Sequence, residues 1–502
     1  MSLLLGIDAG TTSVKAGLFE PEGGCVSIAR QAYRLDTPAP DRVEVDARRY
    51  WDACCAATHQ VLAESRRDAR QISALAVSSQ GETIIPVDEH GQATGPAIVW
   101  LDNRAHDEAG QLAAMFADQV YPRTGIVEIV PTWSACKILW IKNHEPELLA
   151  STRKFLLVQD FLVHRMTGAL VTDGSVACTT LLYDIVRHRW WDDMLQAVGI
   201  SAGCLPEIST PGAVAGTLSA SAAAATGLPG GIPVVLGGMD QAAGAVGAGN
   251  LVPGIVSETT GAALAIQVTI PAHVGDSRRP RLPVCVHSAP GLYLFEPFCP
   301  TAGLVLQWYR DTFERTDLAA GDGYDRLTDL ASTVPAGSDG LLMLPHLMGA
   351  SSPEYNPQAR GVFCGISLGH HQGHFIRAIL ESVAYLLRRN LELVSEAGVR
   401  VNEIRSSGGA ARSPLWSQIK ADVCGLPVVR LRQEEAALLG DAILAGVGCG
   451  ELSGLAEASQ SMVSVAGRWV PGEQQAAYRS SYSRYTQLNA ALDPFFREAW
   501  SA

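Results

Sequence analysis

The sequence has no long hydrophobic run. Glycine, serine or a charged residue interrupts each apolar stretch well before the ~20 residues that a membrane-spanning helix requires. Residues 1–10 lack a basic region, and their apolar run ends after Ile7, which is too short for a signal peptide. We therefore expect a soluble protein without a membrane partner.

Charged residues are scarce, at 18% of the 502 residues, and their net charge is −13. A chain with this balance has no overall positive field to attract nucleic acid, so a polyphosphate would need a local binding site. Because 47% of the residues are hydrophobic, the chain can bury large cores. Its length indicates two large domains or three ordinary ones.

The eleven cysteines form no Cys-x-x-Cys pattern, although Cys54 and Cys55 are adjacent. An odd, scattered set indicates reduced thiols and predicts a cytoplasmic protein. The P-loop pattern Gly-x-x-x-x-Gly-Lys-Ser/Thr is absent too, and residues 446–450 lack the third glycine of the dinucleotide-binding fingerprint. A P-loop enzyme and a Rossmann dehydrogenase are therefore disfavoured.

Strand-like apolar runs alternate with helical periodicity along the chain, which predicts the α/β class. We predict a helix from Phe375 to Val394 and strands at 3–7, 72–77, 232–236 and 341–344. A shift of 248 residues places 6–18 over 254–266 without a gap. This match suggests that each half opens with the same β-hairpin, although two unrelated Gly/Thr turns would explain it equally well.

Residues 8–13, Asp-Ala-Gly-Thr-Thr-Ser, suit a polyphosphate. They combine backbone N–H groups free of bulky side chains, hydroxyls, and a carboxylate able to carry magnesium. Asp8 ends an apolar strand, where a carboxylate is costly without a cation. Lys15 lies two residues beyond and would either add positive charge or face solvent. The alternative is a hairpin whose glycine and threonines only shape a turn.

A second acid, Asp240, follows the predicted strand at 232–236 and precedes a run of small residues. A carboxylate so placed can accept a proton from a substrate hydroxyl, and its small neighbours leave room for the substrate. The alternative is that Asp240 only caps the helix that follows it.

Six segments together resemble the FGGY carbohydrate kinases, in the family's order and spacing. They are the first phosphate loop at 6–19, the substrate loop at 78–84 with 97–105, the catalytic-base segment at 237–249, the second phosphate loop at 257–266, the family signature at 353–370 and the adenosine loop at 408–428. The resemblance implies an actin-like ATPase (ribonuclease H-like) α/β fold. Its two duplicated domains would be 1–247 and 248–502, with ATP in a central cleft that closes on the substrate.

The resemblance also implies a small sugar or polyol and ATP as partners, Mg²⁺ at Asp8, and Asp240 as the general base. The implied ATP contacts are Gly10, Thr11, Thr12, Lys15, Thr260, Gly261, Gly303, Gln307, Gly408, Gly409 and Ala410. The implied substrate contacts are Gln80, Gly81, Glu82, Trp100, Asp102, Arg104, Thr132, Asp240 and Gln241. Trp100 is equally plausible as a core residue, and a homodimer is one assembly that the resemblance allows.

The substrate loop departs from the family pattern. It reads Gln-Gly-Glu-Thr from Gln80, where xylulokinases usually carry Gln-Met-His-Gly and glycerol kinases Gln-Arg-Glu-Thr. Gly81 lacks the arginine that helps to bind glycerol, and Thr132 stands where glycerol kinases usually have tyrosine. These small residues predict a wider pocket, and Glu82 can accept two hydroxyl hydrogen bonds.

Because a wider pocket accommodates a larger substrate, we expect the substrate to be a ketose or polyol of about four to six carbons. General similarity elsewhere favours a pentulose such as xylulose. Glycerol, erythritol or another polyol or ketose is the alternative. Residues 349–351, Gly-Ala-Ser, replace the family's usual Gly-Glu-Arg, so no role is transferred to them.

Three rival interpretations have weaker support. Residues 365–369 fit the Gly-x-Ser-x-Gly of hydrolases, but no histidine follows His374 to complete a downstream triad. His370, His371 and His374 lack a matching set of metal ligands and are expected to be solvated. A non-catalytic actin-like sugar-binding protein would need neither Asp8 nor Asp240.

Overall fold

The computed structural model describes residues 2–273, 281–313 and 322–499. Its strands are β1 Leu3–Ala9, β2 Ser13–Phe19, β3 Cys25–Ala32, β4 Asp36–Ala39, β5 Arg42–Val45, β6 Ile72–Ser79, β7 Ile85–Val87, β8 Ala97–Ile98, β9 Lys154–Leu156, β10 Val171–Asp173, β11 Tyr183–Asp184, β12 Arg189–Trp190, β13 Glu207–Ser209, β14 Val214–Thr217, β15 Pro233–Met239, β16 Ile255–Thr260, β17 Leu264–Ile270, β18 Val284–Val286, β19 Tyr293–Phe295, β20 Phe298–Cys299, β21 Leu342–Leu344, β22 Val362–Cys364, β23 Glu403–Ser407, β24 Val428–Leu431 and β25 Val465–Trp469.

The α-helices are α1 Arg48–Ser65, α2 His106–Thr124, α3 Ser134–His144, α4 Pro146–Ser151, α5 Val158–Thr167, α6 Gly174–Ala177, α7 Asp192–Val198, α8 Ala220–Thr226, α9 Asp240–Gly247, α10 Gly303–Phe313, α11 Asp322–Ser332, α12 Gln372–Glu396, α13 Pro414–Cys424, α14 Ala436–Gly448, α15 Leu455–Met462 and α16 Gln475–Ala499. The chain also forms 3₁₀ turns at Ala69–Gln71, Cys178–Thr180, Ala202–Cys204, Ser338–Gly340 and Gly409–Arg412. The α/β class is confirmed. Within the described residues, no helix is both long enough and apolar enough to cross a membrane.

The chain packs into two compact units. Unit 1 comprises Met1–Leu251, Thr269–Leu294 and Glu435–Ser464, and unit 2 comprises Val252–Val268, Phe295–Glu434 and Val465–Ala502. Two later segments of the chain therefore pack with the first half. The division into domains 1–247 and 248–502 stays a prediction.

The main sheet of unit 1 has the strand order β14-β15-β6-β1-β2-β3. Strands β1, β6 and β15 are parallel, whereas β1, β2 and β3 form an antiparallel meander. Every residue of β1 is buried because helices cover both faces of the sheet. Leu3, Leu5 and Ile7 pack with α1, and Leu4 packs with α14 on the other face.

Unit 2 contains the strand order β17-β16-β23-β24-β25. Strands β16, β23 and β24 are parallel, and β16 pairs antiparallel with β17. Each unit thus places an antiparallel hairpin beside a run of parallel strands, as the internal match predicted. The predicted strands correspond to β1, β6, β15 and β21, and the predicted helix to α12.

The alignment of the two hairpins differs from the gap-free match. The last ladder pair is Ala9 with Val14 in the first hairpin and Thr260 with Leu264 in the second. Thr260 therefore corresponds to Ala9, and the match that placed it over Thr12 is wrong. The gap-free match aligned similar residues of the two turns. The hydrogen-bonded ladder, however, determines where each strand ends, and it shows that the second loop is shorter.

Candidate functional site

The first hairpin brings Asp8 opposite Lys15 across the β1–β2 ladder. The Nζ of Lys15 lies 2.5 Å from Oε2 of Glu435, so this lysine is engaged rather than free in solvent. Asp8 is only 7% exposed, and its Oδ1 has no hydrogen-bond partner among the described residues. Burial raises the pKa of Asp8 to about 6, although the positive charge of Lys15 acts in the opposite direction and lowers it.

An unpartnered, buried carboxylate oxygen suits a hard cation. Mg²⁺ is usually held by one or two carboxylates, with phosphate oxygens and water completing its octahedron. No group of three or more His, Cys, Asp or Glu residues is placed to hold a metal within the described ranges. Asp8 therefore fits a magnesium ion that arrives with the nucleotide better than a cage made of protein alone.

Tyr33 holds the loop between β1 and β2. Its hydroxyl donates to the carbonyl of Gly10, and its backbone N–H donates to the carbonyl of Thr12 at 3.0 Å. Thr11 is half-buried and Thr12 is exposed. In the part of the chain that the structure describes, the N–H groups of Thr11 and Thr12 have no acceptor. These two groups are available to an anion.

Asp240 is the first residue of α9, at the carboxyl end of β15. The residue at the N-cap is Met239, so Asp240 is not the cap of this helix, although its Oδ1 accepts a 2.6 Å hydrogen bond from the N–H of Gln241. Burial raises the pKa of Asp240 to about 8, and the negative charges of Asp8 and Glu82 add to this effect. The structure thus brings all three carboxyl groups into one electrostatic environment in unit 1.

Buried side chains that the sequence reasoning missed support the backbone just before Asp240. The N–H of Met239 donates to Ser175 Oγ at 3.1 Å, and the N–H of Gly238 donates to Gln159 Oε1 at 2.5 Å. Asp173 accepts from both Ser175 Oγ, at 2.6 Å, and Gln159 Nε2, at 2.9 Å. The only local signal in the sequence is an Asp-x-Ser helix cap at Asp173.

Glu82 adopts a left-handed backbone conformation, with φ of +55°. Its carbonyl accepts hydrogen bonds from Ser134 Oγ at 3.0 Å and Lys137 Nζ at 3.1 Å. Its N–H donates to Thr179 Oγ1 at 3.0 Å. Burial lowers the pKa of Lys137 and raises the pKa of Glu82, while their opposite charges moderate both shifts. Three side chains therefore hold an unfavourable backbone conformation in place.

The sequence argument that Gly81 widens the sugar pocket is wrong. A Cβ atom at Gly81 would lie 2.7 Å from Thr179 Oγ1 and 2.8 Å from its Cγ2. The space that a side chain would enter is filled by this threonine. Thr132 is half-buried, and its hydroxyl donates to the carbonyl of Trp100 at 3.1 Å.

The other predicted substrate contacts divide into two kinds. The side chains of Asp102 and Arg104 are buried and joined by two hydrogen bonds of 2.9 and 2.8 Å, and Arg104 also contacts Glu44 at 2.6 Å. These two side chains are therefore largely occupied. Gln80 is different, because its Oε1 is buried without a partner among the described residues. Trp100 is half-buried and packs beside the core of unit 1, whereas its contact with the substrate stays a prediction.

In unit 2, several of the predicted ATP contacts lie together. The N–H of Gly303 donates to the carbonyl of Gly261 at 2.9 Å, and a Cβ at Gly303 would lie 2.3 Å from that oxygen. Gly408 has φ of +78°, and a Cβ there would lie 2.9 Å from the carbonyl oxygen of Thr260. At Gly261 and Gly409 a Cβ would meet no atom within 4 Å, so their outer faces are open.

The hydroxyl of Thr260 is committed within the protein. It donates to Glu258 Oε2 at 2.6 Å and accepts from Lys420 Nζ at 2.9 Å. Lys420 and Glu258 form a buried ion pair of 2.6 Å that the sequence reasoning missed. A phosphate at this hairpin would therefore meet backbone atoms rather than this side chain. Of the remaining candidates, Gln307 is exposed on α10 and Ala410 is buried in the turn after Gly408.

The rival motifs lie in unsuitable surroundings. Ser367 is exposed in the turn after β22, and residues 446–448 belong to the last turn of α14 rather than to a phosphate-binding loop. His374 Nε2 lies 3.1 Å from Asp339 Oδ2, and His371 caps α12.

A cavity of about 490 Å³ in unit 2 has none of the predicted site residues in its lining.

The chain is similar to known proteins over nearly its whole length. Residues 3–247 match the N-terminal domain of the FGGY family of carbohydrate kinases, and residues 268–449 match its C-terminal domain. A xylulose kinase of Bacillus subtilis is 29% identical over 99% of both chains. A glycerol kinase of Trichlorobacter lovleyi is 31% identical over 96% of this chain and 98% of its own length.

A solved structure agrees with these sequence matches. The xylulose kinase of Rhodospirillum rubrum superposes with a TM-score of 0.89, at 29% identity, over 99% of this chain and 100% of its own. The two curated relatives carry different substrate names at similar identity. The comparisons therefore define a family and a fold, and they leave the sugar open.

Proposed function

Because this chain belongs to the FGGY family of carbohydrate kinases, we propose that it transfers the γ-phosphoryl group of ATP to a primary hydroxyl of a pentulose such as xylulose. Phosphorylation of a carbohydrate follows from membership of the family, whereas the choice of a pentulose as the substrate is our proposal. The observation that carries the proposal is the placement of Asp240. It begins a helix at the end of a buried strand, within the electrostatic influence of Asp8 and Glu82.

In the proposed reaction, Asp240 accepts the proton of the primary hydroxyl as that oxygen attacks the γ-phosphorus. The bond from the γ-phosphorus to the bridging oxygen breaks, and ADP leaves with the electron pair. Asp8 would hold Mg²⁺, which when bound neutralises phosphate charge. The N–H groups of Thr11 and Thr12 orient the phosphate oxygens, because phosphoryl transfer depends mainly on positioning and charge stabilisation.

Glu82 and Gln80 are the proposed sugar-recognition residues. The carboxylate of Glu82 can accept two hydroxyl hydrogen bonds, and the Oε1 of Gln80 is a buried acceptor with no partner among the described residues. The relatives named xylulose kinase, which match nearly the full length, support a pentulose. The relative named glycerol kinase makes a three-carbon polyol the main competitor.

The test is a coupled assay of ADP release with the purified full-length chain and Mg-ATP. The panel contains D-xylulose, L-xylulose, ribulose, glycerol, erythritol and gluconate. We expect sugar-dependent ADP release with the highest kcat/KM on a pentulose, and a sugar phosphate detectable by ³¹P NMR. The Asp240→Asn variant, purified in parallel, controls for a contaminating kinase.

A preference for glycerol or erythritol would overturn the pentulose assignment and leave the kinase assignment standing. Binding of a sugar without any ADP release would favour a non-catalytic sugar-binding protein.

A further inference from the structure

One short segment contacts the backbone beside both acids of the proposed sugar site. Ser175 and Thr179 are four residues apart in the run formed by α6 and the 3₁₀ turn Cys178–Thr180, so their side chains share a face. Ser175 Oγ accepts from the N–H of Met239, the residue before Asp240, at 3.1 Å. Thr179 Oγ1 accepts from the N–H of Glu82 at 3.0 Å.

We propose that Ser175 and Thr179 are positioning residues that fix the carboxylates of Asp240 and Glu82 relative to each other, and thereby determine which sugars are accepted. The inference rests on the proposed function, in which Asp240 is the base and Glu82 binds sugar hydroxyls. A substrate must then present its reacting primary hydroxyl to one carboxylate and further hydroxyls to the other, across a span set by this segment.

The direction of both hydrogen bonds is fixed. A hydroxyl has one hydrogen, and Ser175 uses its hydrogen to donate to Asp173 Oδ1 at 2.6 Å. Thr179 uses its hydrogen to donate to the carbonyl of Val176 at 2.8 Å. Each hydroxyl can therefore only accept from the site backbone. Because Ser175 and Thr179 are buried, removing either oxygen would leave a backbone N–H without a partner.

A glycine lies at each point where the segment meets a site loop. A Cβ at Gly238 would lie 2.2 Å from Ser175 Oγ, and a Cβ at Gly81 would lie 2.7 Å from Thr179 Oγ1. The hydroxyls thus pack directly against the backbone of both loops. In a close-packed interior, a shift of the segment is transmitted to both carboxylates.

The experiment uses the full-length chain and the sugar that the wild type phosphorylates best. Thr179→Val keeps the side-chain shape and removes the acceptor for Glu82. We expect it to raise the KM for the sugar roughly 5- to 50-fold, with the KM for ATP unchanged, since an unpaired buried N–H is costly. Thr179→Ser should restore most of the affinity. Ser175→Ala should instead lower kcat about tenfold, because it loosens the backbone of the base.

A double-mutant cycle separates positioning from general stability. If Thr179 acts through Glu82, Thr179→Val should have little further effect on the sugar KM in a Glu82→Ala background, where no side chain remains at position 82 to bind the sugar. The proposal would be overturned if the effects of the two substitutions on the sugar KM were fully additive. It would also be overturned if Thr179→Val lowered kcat and raised the KM for the sugar and the KM for ATP by equal factors. Thr226→Val is the matched control, because Thr226 is also buried and donates to a helix carbonyl, but belongs to α8.

A second measurement does not depend on turnover. A crystal structure of Thr179→Val should show that the backbone of Glu82 has left its φ of +55°, and one of Ser175→Ala should show that Asp240 has moved. Unmoved acids in both variants would overturn the positioning role. A wild type that releases no ADP with any sugar would instead reject the proposed function, and the crystal structures would still decide this inference.

Discussion

The indole Nε1 of Trp100 donates a hydrogen bond to Thr11 Oγ1 at 2.9 Å. Trp100 belongs to the segment proposed to bind sugar, and Thr11 to the hairpin proposed to bind phosphate. The hydroxyl of Thr11 accepts from the indole, so its own hydrogen is directed elsewhere and suits a phosphate oxygen. This bond joins the two halves of the candidate site within unit 1.

We expect Trp100→Phe to raise the KM for both the sugar and ATP by about 2- to 10-fold, the range for one neutral hydrogen bond. Steady-state kinetics with each substrate varied in turn checks this. Thr11→Val removes the same bond from the other side, together with the hydroxyl proposed to meet a phosphate oxygen, so the double variant should be little worse than Thr11→Val alone. If each single variant changed the KM for only one of the two substrates, the link between the two segments would be contradicted.

The Asp240→Asn variant should lower kcat by ~10²–10⁴-fold, the usual contribution of general acid–base catalysis. Binding of ATP should be nearly unchanged, because the amide keeps the size of the side chain and is not proposed to touch the nucleotide. Single-turnover kinetics gives the chemical rate, and calorimetry gives the affinity for ATP. Normal turnover in this variant would remove Asp240 from the role of base.

The pH dependence of kcat/KM for the sugar should report the ionisation of Asp240. Burial and the nearby negative charges raise the pKa of this carboxyl to about 8, and only its deprotonated form can accept a proton. The rate should therefore rise with pH up to about 8. In Glu82→Gln one negative neighbour is lost, so the acidic limb of the profile should move to lower pH. A profile that is flat from pH 5 to 8 would contradict the assignment.

The acids of the site were predictable from the sequence because their signals are local. Asp8 lies near the end of a buried apolar strand and Asp240 directly follows another, and the carboxyl ends of parallel strands meet at one edge of a sheet. The two hairpins were predictable for the same reason. Their relative alignment was not, because it depends on where the ladder ends.

The supports of the site were not predictable, because they depend on contacts between distant residues. Thr179 is 97 residues from Glu82 in the sequence, and Ser175 is 64 residues from Met239. The misjudgement at Gly81 has the same origin. A missing side chain leaves room only if no neighbour fills the space, and the sequence does not say that Thr179 does so.

The buried pair of Lys420 and Glu258 allows a test of stability in unit 2. The two charges are 2.6 Å apart, and neither side chain is more than 2% exposed. Lys420→Met should lower the free energy of unfolding by about 3–5 kcal/mol, because it leaves the carboxylate of Glu258 buried without its cation. Lys142→Met changes an exposed lysine of α3 and should cost less than about 0.5 kcal/mol.

The double variant Lys420→Met with Glu258→Gln distinguishes an unpaired charge from lost packing. It removes both charges, and an amide at position 258 can still accept from Thr260. We expect it to be more stable than Lys420→Met alone in urea titrations followed by circular dichroism. If the two substitutions simply add, the destabilisation comes from packing and the ion pair has no special role. Because Lys420 also donates to Thr260 and is absent from both variants, the KM for ATP should rise in both.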